Sequence, residues 1–146
     1  MALKKNSKSK RPEAERAAEH YAREVCHCVL TRRPVRTQWQ SIDFFAADIV
    51  GKKKNGSHVY IQVTAGQASS VSARRKKLEK IPWHESDKVQ LAQLVQTPNP
   101  ANARKIDYFF RIHEYSGNPR EWHIYEKAQP IPKEWFKAYV DQSKKK

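Results

Sequence analysis

Residues 44–66, FFAADIVGKKKNGSHVYIQVTAG, constrain this chain more than any other stretch. They read as two apolar strands joined by a tight turn, with Lys54-Asn55-Gly56 as hairpin punctuation. The first strand carries a lone carboxylate, Asp48, and the second carries Gln62 and Thr64. Side chains alternate along a strand, so Gln62 and Thr64 share one face, while Val59, Ile61 and Val63 share the other. A two-residue Asn55-Gly56 turn would pair Asp48 with Val63 and separate it from Gln62. A three-residue loop, Lys54 to Gly56 with Gly56 left-handed, pairs Asp48 with Gln62. The second arrangement is expected here, because it gathers Asp48, Gln62 and Thr64. The plainer alternative is that Asp48 ends a strand.

Charge narrows the partners. Against 29 Lys and Arg stand 15 Asp and Glu, a formal net charge of +14. Such an excess fits a polyanion, because each neutralised phosphate releases counterions. Nucleic acid is the first expectation, an anionic membrane surface the second, and a basic solvated surface the plain alternative. No run of about 18 apolar residues exists to span a bilayer. Met1–Arg11 is basic with no apolar run after it, so it does not read as a signal peptide. Cys26 and Cys28 are too close for a disulfide framework and too few for zinc, and they read as reduced, packed cysteines of a cytoplasmic protein.

The expected organisation is a basic tail over 1–11, one domain over 12–141 and a basic end over 142–146. Pro12 starts a helix on which Ala14, Ala17, Ala18, Tyr21, Ala22 and Val25 form an apolar stripe. Glu15 borders that stripe and, on pattern alone, reads first as a solvated helix-start carboxylate. Cys28–Thr31 can make a short strand. In the polar loop 32–41, RRPVRTQWQS, arginines beside Trp39 suit backbone contact plus stacking on a base, or Trp39 packs under its own loop.

After Gly66, Ser69 or Ser70 can cap a helix that runs to Ile81 before Pro82. Val71, Leu78 and Ile81 mark its inner face, and Arg74 and Arg75 fall on that same face. A buried arginine needs a partner, so at least one should reach a carboxylate, a phosphate or an active site, unless it snorkels at the core edge. Lys76, Lys77 and Lys80 lie on the outer side and can track a phosphate backbone. Residues 89–96, VQLAQLVQ, suggest a further strand with some helical spacing, and 97–104 a loop. Residues 106–115 and 122–126 suggest an aromatic hairpin over Ser116-Gly117-Asn118-Pro119, and Pro132 opens a short last helix.

This order of elements resembles the α/β restriction-endonuclease-like (PD-(D/E)XK) nuclease fold, a mixed sheet flanked by helices. More narrowly, it looks like the archaeal-type Holliday junction resolvases, including forms carried by phages. The residues that carry the likeness are Glu15-Arg16 on the first helix, Ala47-Asp48-Ile49-Val50 on one strand, and Ile61-Gln62-Val63-Thr64 on the next, followed by the basic helix after Ser70. The likeness covers roughly residues 12 to 97, in line with single-domain size.

The resemblance implies a homodimeric Mg2+- or Mn2+-dependent endonuclease that cuts branched DNA, in the cytoplasm of a bacterial or archaeal cell or a phage-infected host. In it, Asp48, Gln62, the Val63 carbonyl and Glu15 supply oxygens to the metal, and Asp48, Gln62, Thr64 and Glu15 form the catalytic set. Gln62 stands where the family has Glu or Asp, and Thr64 where it has lysine, so one negative charge and one cation are lost. Arg74 or Arg75 can restore the cation from the next helix. DNA contact is expected from Arg32, Arg33, Arg36, Trp39, Ser41, Lys76, Lys77 and Lys80. Two alternatives are a nuclease-fold DNA-binding protein without cleavage and an RNA-binding module built on the aromatic hairpin. That hairpin lacks the glycine-flanked motif of RNA-stacking sheets.

Overall fold

The computed structural model describes residues 11–32, 47–65, 68–102 and 104–137. Residues 1–10 and 142–146 of the expected tails, the loop residues Arg33, Arg36, Trp39 and Ser41, and the apolar start Phe44–Ala46 lie outside the described residues, while Arg11, assigned to the first tail, opens a helix.

Helix α1 (Arg11–Glu24) is followed by strands β1 (Cys28–Arg32), β2 (Ile49–Lys53) and β3 (His58–Thr64). Helix α2 (Ala68–Glu79) leads to β4 (Lys88–Pro98), β5 (Ile106–Gly117) and β6 (Arg120–Pro130), and a 3-10 turn spans Lys133–Phe136. The six strands form one sheet in sequence order. Only β3 and β4 run parallel, and α2 makes the crossover that a parallel neighbour requires. The other neighbouring strands are antiparallel. The chain is thus mixed α/β.

The β2–β3 loop is the three-residue form. Gly56 donates to the Lys53 carbonyl at 2.9 Å, Lys53 donates to the Ser57 carbonyl at 2.9 Å, and Gly56 has φ of 93°. This is a turn closed by a left-handed glycine. Asn55 Oδ1 accepts from the Ser57 N–H at 3.0 Å and steadies the corner. The register follows: Val50 lies opposite Tyr60, and Ile49 opposite Ile61.

The two helices bury different faces of the sheet. Ala14, Ala17, Ala18, Tyr21 and Ala22 of α1 join Ile49, Val59, Ile61, Val63, Ala92, Phe110 and Ile112 in the larger core. Small alanines let the helix backbone come close to the strands, as the stripe predicts. Val25, assigned to the stripe, falls just past the helix and is exposed. Val71 and Leu78 of α2 pack on Val89 and Leu91, with Trp83, Tyr115 and Trp122 at the margin. The Tyr60 and Trp83 rings lie 4.8 Å apart, so Tyr60, and by alternation Gln62 and Thr64, face the α2 side.

Three differences from the sequence reading have local causes. Residues 88–98 are strand throughout, and Gln90 and Gln93 are buried with partners. Gln90 accepts from the Tyr21 hydroxyl at 2.8 Å and donates to Glu114 at 2.9 Å. Helix α2 starts at Ala68, so Ser69 and Ser70 lie inside its first turn instead of capping it. The aromatic hairpin is longer than expected, with the turn reduced to Asn118-Pro119. Its rings divide: Phe110 is fully buried, Tyr115 stacks on Trp122 at 4.7 Å, and Tyr125 is exposed.

Candidate active site at the β2–β3 edge

Asp48 stands one residue before β2 and is 2% exposed. Its N–H donates to the Ile61 carbonyl at 2.8 Å, and its Oδ2 accepts the Val63 N–H at 2.8 Å. Both sequence readings of Asp48 therefore hold in part. It ends the regular ladder, and its carboxylate takes the place of a strand partner beside Gln62 and Thr64. Within an extended strand the N–H and C=O of one residue point to the same edge. The Val63 carbonyl therefore lies on the Asp48 side of β3.

Gln62 and Thr64 are both buried on the α2 face, and Thr64 Oγ1 lies 3.2 Å from Ser70 Oγ. Ser70 Oγ also accepts from Arg74 Nε at 3.2 Å. This chain of contacts leads from Thr64 through Ser70 to Arg74, one turn further along α2. Arg75 goes elsewhere: its guanidinium sits over the Trp122 ring at 4.6 Å. The two adjacent arginines thus diverge, one toward the Asp48 end of β3 and the other toward β6.

Glu15 is half-buried on α1, which covers the opposite face of the sheet. Tyr21 of that helix bonds Gln90, level with Ile61, while Arg16 Nε donates to the Phe136 carbonyl at 2.6 Å. Glu15 therefore lies toward the end of the sheet where β3 finishes. Arg32 is exposed at the end of β1, and Lys76, Lys77 and Lys80 are exposed on and just after α2.

Cys26 and Cys28 are buried free thiols, as their spacing predicts. Burial raises the pKa of Cys26 and, with Cys26 adding to it, pushes Cys28 up to about 11, so both pack as neutral groups.

Among the described residues no group of three or more His, Cys, Asp or Glu side chains comes together. A cation beside Asp48 would rest on one carboxylate, an amide oxygen and a backbone carbonyl, and the Glu15 carboxylate that the sequence offered as a further ligand lies on the helix over the other face. Such an all-oxygen set fits a hard ion that retains water, such as Mg2+ or Mn2+, and not zinc.

Sequence reasoning missed Ser70 as a link, although Ser70 and Arg74 are four residues apart on a helix and so share a face. It also missed the buried pair formed across β4 and β5, where His113 Nε2 lies 3.0 Å from Gln93 Oε1. The alternation of Arg111 and His113 with buried Phe110 and Ile112 was its only trace in the sequence. Comparison with protein-family models, curated proteins and solved structures finds no match to this chain.

Proposed function

We propose that this chain is a metal-dependent, structure-selective DNA endonuclease with a restriction-endonuclease-like fold, acting on branched DNA such as a four-way junction as a homodimer. The observation that carries the reading is the buried Asp48 carboxylate held on the Val63 N–H, at the Gln62–Thr64 segment of β3. The order helix, three strands, helix, strand agrees with it, as does the net charge of +14.

Asp48, the Gln62 amide oxygen, the Val63 carbonyl and Glu15 would hold Mg2+ or Mn2+. The ion, when bound, supplies Lewis-acid polarisation of the phosphate and a more acidic water. The chain's own residues do the rest. Val63 orients the Asp48 carboxylate. Thr64 offers a hydroxyl to position water, and it cannot neutralise charge. Arg74, anchored through Ser70, supplies the cation missing from the strand and stabilises negative charge on the scissile phosphate. Arginine does not act as a base, so water is deprotonated elsewhere. Lys76, Lys77 and Lys80 hold the backbone without reading bases.

The test is cleavage of a labelled four-way junction, duplex and single strand with Mg2+ or Mn2+, with Asp48→Asn as control. The expected result is junction cutting that chelator and Asp48→Asn both abolish. Tight junction binding without cutting would instead assign a nuclease-fold DNA-binding protein. Preference for RNA in competition would assign an RNA-binding module.

A further inference from the structure

A second cleft lies on the α2 side of the sheet, between α2 and strands β4 to β6. Its volume is about 470 Å³, within the range of small-molecule sites. Val71 and Ile124 give it apolar wall, and Arg75, Lys76, Gln93 and His113 give it polar groups.

His113 sits at the base, 4% exposed. Gln93 Oε1 accepts from His113 Nε2 at 3.0 Å and from Arg111 at 3.4 Å, so the Nε2 carries the ring hydrogen. Nδ1 is then a lone-pair acceptor, and it is buried with no hydrogen-bond partner among the described residues. Such an atom is costly unless a donor arrives. Burial, then Arg75 and Arg111, lower the His113 pKa to about 4, which keeps the ring neutral at neutral pH.

The rim carries the charge. Arg111 is ion-paired to Glu126 at 2.7 Å. Glu79 is turned onto the Trp122 N–H at 2.8 Å. Arg75 stacks on Trp122, and among the described residues no carboxylate is paired with Arg75 or with Lys76. A ligand that satisfies this cleft has an anionic end for the two cations, a flat body for the apolar wall, and a donor for a buried acceptor.

We propose that this cleft binds one nucleotide, with its phosphate on Arg75 and Lys76 and a base or sugar donor on His113 Nδ1. The nucleotide is either free or an unpaired residue of a strand, and the chemistry is shared. The inference shares Lys76 with the proposed backbone contacts, and it uses none of the proposed metal and catalytic residues Asp48, Gln62 and Thr64.

The test is calorimetric titration of the full chain, in chelator, with deoxyadenosine 5′-monophosphate, deoxyadenosine and inorganic phosphate. The mononucleotide is expected to bind at least about tenfold more tightly than either fragment, and Arg75→Gln to weaken it about tenfold or more, as for one charged hydrogen bond. A melting curve checks that variant. On the unaltered chain, the His113 Nδ1 nitrogen resonance is expected to move on titration. A short 5′-phosphorylated single strand that binds better than the mononucleotide assigns the strand source, and the reverse assigns the free ligand. Mononucleotide binding no tighter than phosphate, or an unmoved Nδ1 resonance at saturation, overturns the proposal. So does loss of binding in Asp48→Asn, which would put the ligand at the β2–β3 edge.

Discussion

Val63 donates its backbone N–H to Asp48 Oδ2 at 2.8 Å, a side chain standing in for a strand partner in a buried position. The bond ties a charged group to the segment that carries Gln62 and Thr64, and it gives Asp48 a structural task beside the proposed chemical one.

Those two tasks separate by substitution. Asp48→Ala leaves the Val63 N–H buried and unmet, which is expected to cost about 1–3 kcal/mol in urea unfolding. Asp48→Asn keeps an acceptor oxygen and should cost clearly less. Junction cleavage should be lost in both, because both remove the negative charge. Equal destabilisation by the two would show that the Val63 bond contributes little.

Arg74→Ala is expected to lower the cleavage rate about 10²–10³-fold, the scale of one lost electrostatic donor. Ser70→Ala, which removes only the anchor, should give a smaller loss and leave the pH profile unchanged. Junction affinity should fall little in either, because many cations share that task. Rates matching the unaltered chain in both variants would remove Arg74 from the site.

Lys77 and Lys80 are exposed and free to follow phosphates. Changing both to Gln is expected to lower the slope of log affinity against log salt by about two, near one unit per lost contact. An unchanged slope would mark these lysines as solvated only.

Gly51 is fixed by its neighbour. A methyl group there would overlap Cys28 Sγ, and both residues are buried. Gly51→Ala is therefore expected to cost about 1–3 kcal/mol. Adding Cys28→Ala should recover part of the loss, and a double-mutant cycle reads that coupling.

His113 should make stability depend on pH. Its folded pKa is lowered to about 4 from an ordinary value of 6.5, chiefly by burial. Between those values the unfolded chain binds the proton more readily, so stability rises with pH. The contribution is complete above about pH 6.5 and is lost as pH falls toward 4. His113→Gln should flatten the melting temperature across that window. An identical pH profile would show that His113 is as easily protonated folded as unfolded.

Short-range chemistry determined much of this protein. Lys54-Asn55-Gly56 marked the turn, because a left-handed glycine suits a hairpin loop of two or three residues, and the three-residue form that the structure adopts sets the β2–β3 register. The alanines of α1 and the alternation of β3 set which side chains are buried, since helix and strand periods fix direction within one element. Tertiary structure decided what depends on distant partners. Arg74 and Arg75 are equivalent by helical period, and contacts with Ser70 for one and with Trp122, from β6, for the other separate them. Whether Ser70 would cap or link depended on where α2 begins, which the serine pair itself left open. The buried His113–Gln93 pair joins two strands 20 positions apart in sequence, a contact that neither strand's own pattern encodes. Local periodicity specifies orientation, and packing between elements specifies which polar groups meet.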